Sequence, residues 1–227
     1  MKTYHVLRAA LLAAFCPWGA ARALTGPEIA ARAYAAAAAT TDSYVGFNAA
    51  VVQIGTDADG KEISRVTGRV YFAKPDTRRF DVTELVLDGK KQEIPKDEAK
   101  KKDDKEFEIK TPFEKEYFNE YSFTYMATET VTGVECYKVD FAAGNKGEGY
   151  CYGSAWVAAD DFHMVKSYGR PYVQPEHCSA SSMTTFFRVA GGRAMPYKQV
   201  VYVKATFLKF INKEMWFTSY VTDYQFE

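Results

Sequence analysis

The pattern of hydrophobic positions changes once along the chain, near residue 43. Before that point, an Ala-rich run from Ile29 to Ala39 follows Thr25-Gly26-Pro27-Glu28, which has the spacing of a capping box with proline early in the helix. The cluster Thr40-Thr41-Asp42-Ser43 ends the run, because its side chains compete for helical hydrogen bonds. The sequence therefore predicts one N-terminal helix.

After residue 43, the chain is rich in Val, Ile, Thr, Tyr and Phe at alternating positions, which is the period of a strand with one buried face. Val66, Gly68, Val70 and Phe72, for example, share one face. Turn residues separate the runs, which lie at Tyr44 to Ile54, Glu62 to Ala73, Arg78 to Leu87, Tyr121 to Ala127, Val134 to Phe141, Tyr150 to Ala158, Phe162 to Tyr168, Ser182 to Val189, Pro196 to Phe207 and Met215 to Phe226.

These runs predict a mainly β fold with some helix. We expect about ten antiparallel strands in one large, curved sheet that forms an incomplete barrel, because closure or a covering helix protects the sheet edges. The N-terminal helix and a short helical connector would cover it.

The connector spans residues 89–112, a dense mixture of Lys, Asp and Glu. Pro95 followed by Lys96-Asp97-Glu98 indicates a short exposed helix. A solvated linker is one interpretation of the whole segment, and a lid over a cavity is the other.

The first 23 residues have the pattern of a secretory signal peptide. Lys2 and Arg8 flank an apolar run that is too short to span a bilayer, and Ala21-Arg22-Ala23 is typical of a cleavage site. We expect the mature chain to be one domain, residues 24–227, in the periplasm. Cys16 would be discarded with the signal.

Export also changes the charge. The mature chain loses Lys2, Arg8 and Arg22, so 26 basic residues face 29 acidic ones and the formal net charge goes from 0 to −3. Such a chain has no electrostatic surface for nucleic acid. We expect a monomer that contacts membranes only peripherally or transiently.

The motifs of catalysis and cofactor binding are missing from the sequence. His163 and His177 have no neighbours at the usual metal-ligand spacing, and no nucleophile elbow, P-loop or dinucleotide-binding turn is present. Asp160-Asp161 is better explained as a turn than as a catalytic pair. We expect no cofactor, no metal and no enzymatic activity.

Three cysteines remain after processing, in a compartment that favours disulfides. Cys151 opens one predicted strand and Cys178 follows the end of the next, so the two would meet at one end of the sheet. We predict a disulfide between them and a free, buried thiol at Cys136.

Aromatic residues make up 15% of the chain and concentrate in the predicted strands. An ordinary core explains any one of them. Together, however, the inward positions are more than one short helix can cover, which favours a ligand cavity. The predicted lining residues are Val66, Val70, Phe72, Phe80, Val82, Phe123, Tyr125, Tyr137, Val139 and Phe141.

Two segments carry a resemblance to a known family. The first is Gly68-Arg69-Val70-Tyr71-Phe72-Ala73-Lys74-Pro75-Asp76-Thr77-Arg78-Arg79-Phe80, a strand, basic residue, proline, turn and aromatic strand. The second runs from Thr128 to Phe141 and continues into Gly153-Ser154-Ala155-Trp156-Val157 and Phe162 to Ser167. In both segments, and in the order of its elements, the mature chain resembles the LolA/LolB-like superfamily of outer-membrane lipoprotein-sorting carriers.

The resemblance implies a half-barrel that holds lipid or lipoprotein acyl chains beneath a helical lid. It also implies that a basic residue before the proline, here Lys74, latches the lid; the carriers have arginine at that position. The expected function is therefore a periplasmic carrier for a lipid, lipoprotein acyl chains or another apolar ligand. The alternative is an envelope protein-interaction or sensor module with the same fold, whose partners are envelope membrane proteins.

Overall fold

The computed structural model describes residues 23–74, 77–94, 110–207 and 211–227. The predicted signal peptide, apart from Ala23, and the short helix predicted after Pro95 lie outside these ranges. The helices and strands are α1 Gly26–Asp42, β1 Gly46–Thr56, β2 Glu62–Ala73, β3 Thr77–Leu87, β4 Lys90–Lys91, a 3-10 helix at Phe118–Glu120, β5 Tyr121–Val131, β6 Val134–Ala143, β7 Cys151–Ala158, β8 Met164–Pro171, β9 Cys178–Ala190, β10 Arg193–Phe207 and β11 Ile211–Phe226.

All eleven strands form one antiparallel sheet in the order β4-β3-β2-β1-β11-β10-β9-β8-β7-β6-β5. The first strand of the chain, β1, is an interior strand of this sheet, since it pairs with β2 on one side and with β11 on the other. The edge strands β4 and β5 do not pair with each other, so the barrel stays open. This confirms the predicted fold class, with one more strand than expected because the two-residue β4 is too short to show a pattern.

Helix α1 begins and ends much as predicted. The Thr25 hydroxyl accepts a hydrogen bond from the backbone N–H of Glu28, while the Glu28 carboxylate accepts one from the backbone N–H of Thr25, at 2.8 Å. Ile29, Ala30 and Ala33 lie on the buried side of the helix. Within the described residues, no helix has the length and apolar character needed to cross a membrane.

The sheet is curved around this helix. Gly26, in the first turn of α1, lies against β5, while the carbonyl of Thr41, in its last turn, accepts a hydrogen bond from the Lys74 ammonium directly after β2. In a flat sheet those two strands would lie eight spacings, or ~38 Å, apart. A 17-residue helix is only ~25 Å long. The sheet must therefore bend for one helix to reach both.

One predicted strand starts later than expected. Phe162 was placed at the beginning of a strand, but it has a φ of 62° in the turn after β7, and β8 begins at Met164. A left-handed backbone conformation is incompatible with a strand. The apolar side chain still packs, because its ring stacks on Tyr137 with centroids 6.1 Å apart.

The face of the sheet away from α1 is protected by long side chains. The ammonium groups of Lys166 and Lys138 lie 4.2 and 5.4 Å from the centre of the Trp156 ring, and Trp156 donates a 2.8 Å hydrogen bond to Glu129. Trp156 is left only 8% exposed. Lysine stems and cation–π contacts thus cover apolar surface on this face.

Gly26 allows α1 to approach the edge strand closely. A Cβ atom at this position would lie 2.6 Å from the Tyr125 nitrogen and 2.7 Å from the Phe123 oxygen, both in the β5 backbone. We expect Gly26→Ala to lower the free energy of unfolding by ~1–3 kcal/mol, although alanine is the better helix former. Urea unfolding would measure the change.

Gly144→Ala is the matched control, because a Cβ atom there would approach no closer than 3.7 Å to its nearest neighbour, the Glu120 oxygen. Equal stability of the two variants would contradict the close contact between α1 and β5.

Candidate functional site

The strand register determines which side chains share a face. Directly paired residues point to the same side of a sheet, and the pairs lead from Val139 in β6 through each strand to Val66 in β2. Val139 packs with Ile29 and Ala33 of α1. We call this helix-bearing side the inner face. All ten predicted lining residues lie on it: Val66, Val70, Phe72, Phe80, Val82, Phe123, Tyr125, Tyr137, Val139 and Phe141.

The β5–β7 part of the inner face is filled by the protein itself. Val139 and Phe141 are buried, with 1% and 5% of their surfaces exposed. The first half of α1 packs on Val139, and the segment before β5 contributes Phe113 and Phe118, whose rings lie 5.8 and 5.3 Å from that of Phe123. Here most of the predicted lining residues form a packed core, but Tyr125 on the edge strand β5 is 40% exposed.

The rest of the inner face is more open. Ala36, Ala37 and Thr40 continue the buried stripe of α1, but they are only half-buried. Beneath and beyond them, many inward side chains of β1 to β3 and β9 to β11 are also half-buried, including Val66, Val70, Phe72 and Val82. Phe80 is 41% exposed, whereas Ala49, Ser181 and Thr185 are buried. The second half of the helix therefore stands away from the sheet, and its alanines leave room for a ligand. We call this region the open half.

A row of five polar side chains crosses the open half. Ser167, Thr185, Gln199, Ser219 and Gln53 are paired one after another on the adjacent strands β8, β9, β10, β11 and β1. We call these residues the polar row. Most of its neighbours on the inner face are apolar, although Ser64 on β2 and Ser181 on β9 also face inward.

Lys74, the predicted latch, lies at the C-terminal end of α1. Its ammonium group donates a hydrogen bond to the Thr41 carbonyl and lies 5.1 Å from the centre of the Tyr44 ring. Carbonyl groups at this end of a helix lack partners within the helix and carry partial negative charge. Lys74 thus ties the last turn of α1 to the end of β2. Its role as a latch during ligand entry stays a prediction.

Arg193 holds the same end of the helix and was missed by the sequence analysis. Its guanidinium group donates to the hydroxyl and to the carbonyl oxygen of Ser43, both at 2.7 Å, and lies 4.4 Å from the centre of the Phe226 ring. The only sequence signal is its place after the Gly191-Gly192 turn. Nothing in the order of residues relates it to Ser43, which lies 150 positions away.

An aromatic cluster lies under these two cations. Phe47 and Phe72 are stacked at 5.4 Å, and the rings of Tyr44, Tyr224 and Phe226 surround Phe47 at 5.4 to 6.4 Å. Burial raises the pKa of Tyr224 to about 12, and its hydroxyl donates a 2.6 Å hydrogen bond to the Pro196 carbonyl. The cluster closes one end of the inner face.

The predicted disulfide is absent from the structure, in which Cys151 and Cys178 are free thiols. Cys151 is on β7 and Cys178 is on β9, with β8 between them. Two strand spacings come to ~9.6 Å, beyond the ~7 Å limit for the Cα atoms of a disulfide. The expectation failed because Cys178 is the first residue of a separate strand, β9, and β8 lies between β9 and β7.

The thiols are not activated. Burial raises the pKa of Cys136, Cys151 and Cys178 above that of an ordinary thiol. Cys151 also lies 3.4 Å from the Tyr121 hydroxyl, which itself donates to the Lys110 carbonyl. Because the thiolate is the nucleophilic form, these three residues have the character of structural cysteines.

The turn between β7 and β8 brings together Asp160, Asp161 and His163, whose potential ligand atoms lie within 4.8 Å of one another. The sequence analysis treated the aspartates as turn residues. In the structure, Asp161 accepts hydrogen bonds from both the backbone N–H and the ring of His163, and these outweigh burial and lower the pKa of its carboxyl group. These hydrogen bonds join residues only two positions apart, which is typical of a turn.

A separate groove of about 480 Å³ lies on the outer face, across β5 to β8. It is open and lined by hydroxyl-bearing side chains, among them Tyr152, Tyr168 and Tyr172. Its one carboxylate, that of Asp140, already accepts a 2.5 Å hydrogen bond from Ser154.

Neither the comparison with family models nor that with curated proteins gave a match. Among solved structures, the chain is similar to a LolA superfamily protein from Nitrosomonas europaea, with 10% identity over 90% of this chain and 94% of that one and a TM-score of 0.44. It is also similar to a DUF1329 family protein from Desulfovibrio piger, with 11% identity, coverage of 87% and 93% and a TM-score of 0.46.

A third similar structure is a domain from Vibrio parahaemolyticus described as an outer membrane lipoprotein-sorting protein, with 11% identity, coverage of 89% and 92% and a TM-score of 0.46. The superfamily that the sequence resembles is thus among the matches. At these identities and TM-scores, no property of the matched proteins is carried over to this chain.

The two hydrogen bonds from Arg193 to Ser43 predict a specific effect on the helix end. Arg193→Lys keeps the positive charge but loses the planar, two-pronged contact. We expect amide hydrogens in the last turns of α1 to exchange about five to ten times faster, corresponding to ~1 kcal/mol of local stability. Hydrogen–deuterium exchange with mass spectrometry would measure this.

Arg170→Lys, on the outer face of β8, provides the control. Unchanged exchange in Arg193→Lys would mean that the guanidinium group does not hold the helix.

Proposed function

We propose that the chain is a binding or carrier protein that takes up a lipid, lipoprotein acyl chains or another apolar molecule between α1 and the open half of the inner face. The observation that supports this most strongly is the half-buried state of Ala36 and Ala37 above half-buried apolar strands. A well-packed interior would bury both surfaces. A ligand would complete the burial that the protein leaves unfinished.

The binding needs no covalent chemistry. Removing each CH₂ group of an acyl chain from water contributes about 0.8 kcal/mol, which tightens binding by roughly four-fold. The raised pKa values of the three thiols also argue against nucleophilic catalysis. We propose that the protein is not an enzyme.

The proposed location is the periplasm. The support is the signal-like pattern of the first 23 residues, with basic residues, a short apolar run and Ala21-Arg22-Ala23. A carrier there would move apolar cargo through an aqueous compartment and contact membranes transiently.

A bulky side chain on the inward side of α1 should block the site. We expect Ala37→Trp to raise the Kd of fatty acyl ligands at least ten-fold, because the indole would fill the space above the strands. The Kd is obtained from displacement of an apolar fluorescent dye. In the unmodified protein, affinity should rise by up to about four-fold per added CH₂ until the space is filled. Dye-displacement titrations with acyl chains of increasing length would measure both effects.

Ala35→Trp is the matched control, since Ala35 is exposed and lies ~200° around the helix from Ala37. Native mass spectrometry of protein purified from a periplasmic fraction should also detect a stoichiometric acyl-chain species. A bare protein that binds no dye would contradict the carrier function.

A bare protein that binds no dye would favour the alternative function, an envelope protein-interaction module. The observation behind it is the edge strand β5, which is hydrogen-bonded to β6 alone in the sheet. Tyr125 and Met126 on this strand are 40% and 52% exposed. An extended segment of a partner protein could pair with such an edge.

A further inference from the structure

A purely apolar ligand would gain little binding free energy from contact with the polar row. A half-barrel that holds only hydrocarbon needs no polar group at its centre, since each hydroxyl or amide must give up water when the ligand enters. Thr185 is covered by the protein itself, with 5% of its surface exposed, but the other four residues of the row are only half-buried and can reach a ligand. The row therefore suggests that part of the ligand is polar.

The two amide side chains of the row are each bonded at one end. Gln53 donates to the Ser219 hydroxyl at 3.3 Å, and Gln199 donates to the Thr185 hydroxyl at 3.4 Å and to the Met183 sulfur at 3.1 Å. The amide oxygen of each glutamine, which can only accept a hydrogen bond, has no partner among the described residues. No fully buried side-chain polar atom in that part of the chain lacks a partner, so these oxygens face accessible space.

The curvature of the sheet directs these groups toward one another. Side chains on the inner face of a bent sheet converge, and the row covers five adjacent strands. One small group of a ligand can therefore contact several of them at once. The hydroxyl groups and the amide ends together supply both donors and acceptors.

Among the described residues, the inward side chains that flank the row on its own strands carry no charge. Its neighbours along the inner face include Val51, Gly55, Met183, Val201 and Phe217, which precede or follow the row by two residues on their strands. Burying a carboxylate or a phosphate here without a cation would be strongly unfavourable. A neutral group that accepts and donates hydrogen bonds fits the site.

We propose that the polar row binds a neutral N-acyl amide, whose N–H donates to the amide oxygen of Gln53 or Gln199 and whose carbonyl accepts from a hydroxyl of the row, while apolar side chains on either side hold the attached chain. This inference rests on the proposed function and adds a ligand class to it. Gln53 and Gln199 are the specificity-determining residues. An N-acyl amide can use both a donor and an acceptor of the row, and an acyl ester only a donor.

The test compares four probes of equal chain length: an N-methyl acyl amide, a methyl ester, the free fatty acid and the plain hydrocarbon. Binding is measured by displacement of the same dye from the full chain. We expect the unmodified protein to bind the amide about ten-fold more tightly than the hydrocarbon, with the ester between them, since one neutral hydrogen bond contributes about that factor.

In the double variant Gln53→Leu/Gln199→Leu, the ratio of amide to ester affinity should fall to near one, because the acceptors for the amide N–H are lost while the hydroxyl donors remain. Gln92→Leu, an exposed glutamine next to β4, is the control and should keep the ratio. A second measurement does not depend on variants: the carbonyl stretch of an isotope-labelled amide probe should shift to lower frequency in the complex than in a hydrocarbon solvent.

The outcomes separate this inference from the proposed function. Equal affinity for amide and hydrocarbon, or an unshifted carbonyl stretch, would overturn the role of the polar row and leave the carrier function standing. Tightest binding of the ionised fatty acid would also overturn it, in favour of a charged head group. Failure to bind any probe would overturn both proposals.

Discussion

A sheet of eleven strands has far more inner surface than one helix of 17 residues can cover. A protein can cover such a surface in two ways, by closing the sheet into a complete barrel or by packing a second layer of helices on it. In this chain the sheet stays open between β4 and β5, and α1 lies across its concave side. The unequal areas of sheet and helix leave half of the inner face without a packing partner from the described chain, and the candidate site is that unfilled half.

The two ends of α1 are held by different kinds of interaction. At the first turn, Gly26 brings backbone against backbone, and Ile29 and Ala33 pack into the core with Val139. At the last turn, Lys74 and Arg193 bind the Thr41 and Ser43 carbonyls. Apolar packing is lost in large steps when a surface separates, whereas exposed hydrogen bonds contribute little each. The C-terminal end is therefore held mainly by exposed polar contacts, and the N-terminal end by apolar packing.

Much of the inner face was predictable from alternation alone. The ten lining residues all point inward because a strand with a two-residue period keeps one face buried, whatever its neighbours are. Alternation cannot distinguish a packed position from an open one, however. Val139 lies under α1 and Phe141 packs with Tyr121 and Tyr150, whereas Phe80 remains 41% exposed, although all three have the same pattern in the sequence.

The polar row and the Arg193 contact illustrate a second limit. Ser167, Thr185, Gln199, Ser219 and Gln53 come from five strands, and only the pairing of β1 with β11 places the first strand of the chain beside the last. Their proximity depends on the register of every pair between them. The predicted disulfide failed for the same reason, because Cys178 lies in the unpredicted first part of β9 and β8 separates β9 from β7, which carries Cys151.

The sequence by itself determined the local structure: the capped helix, the positions of most strands, and which side chains of each strand face inward. These features depend on interactions between residues near in the chain, namely capping hydrogen bonds, turn conformations and the alternation of burial. The tertiary structure alone decided which inward positions the helix fills, which cations hold its end, and which polar groups meet at the centre of the sheet. Those outcomes depend on curvature and on contacts between residues as far apart as Ser43 and Arg193, which no local pattern encodes.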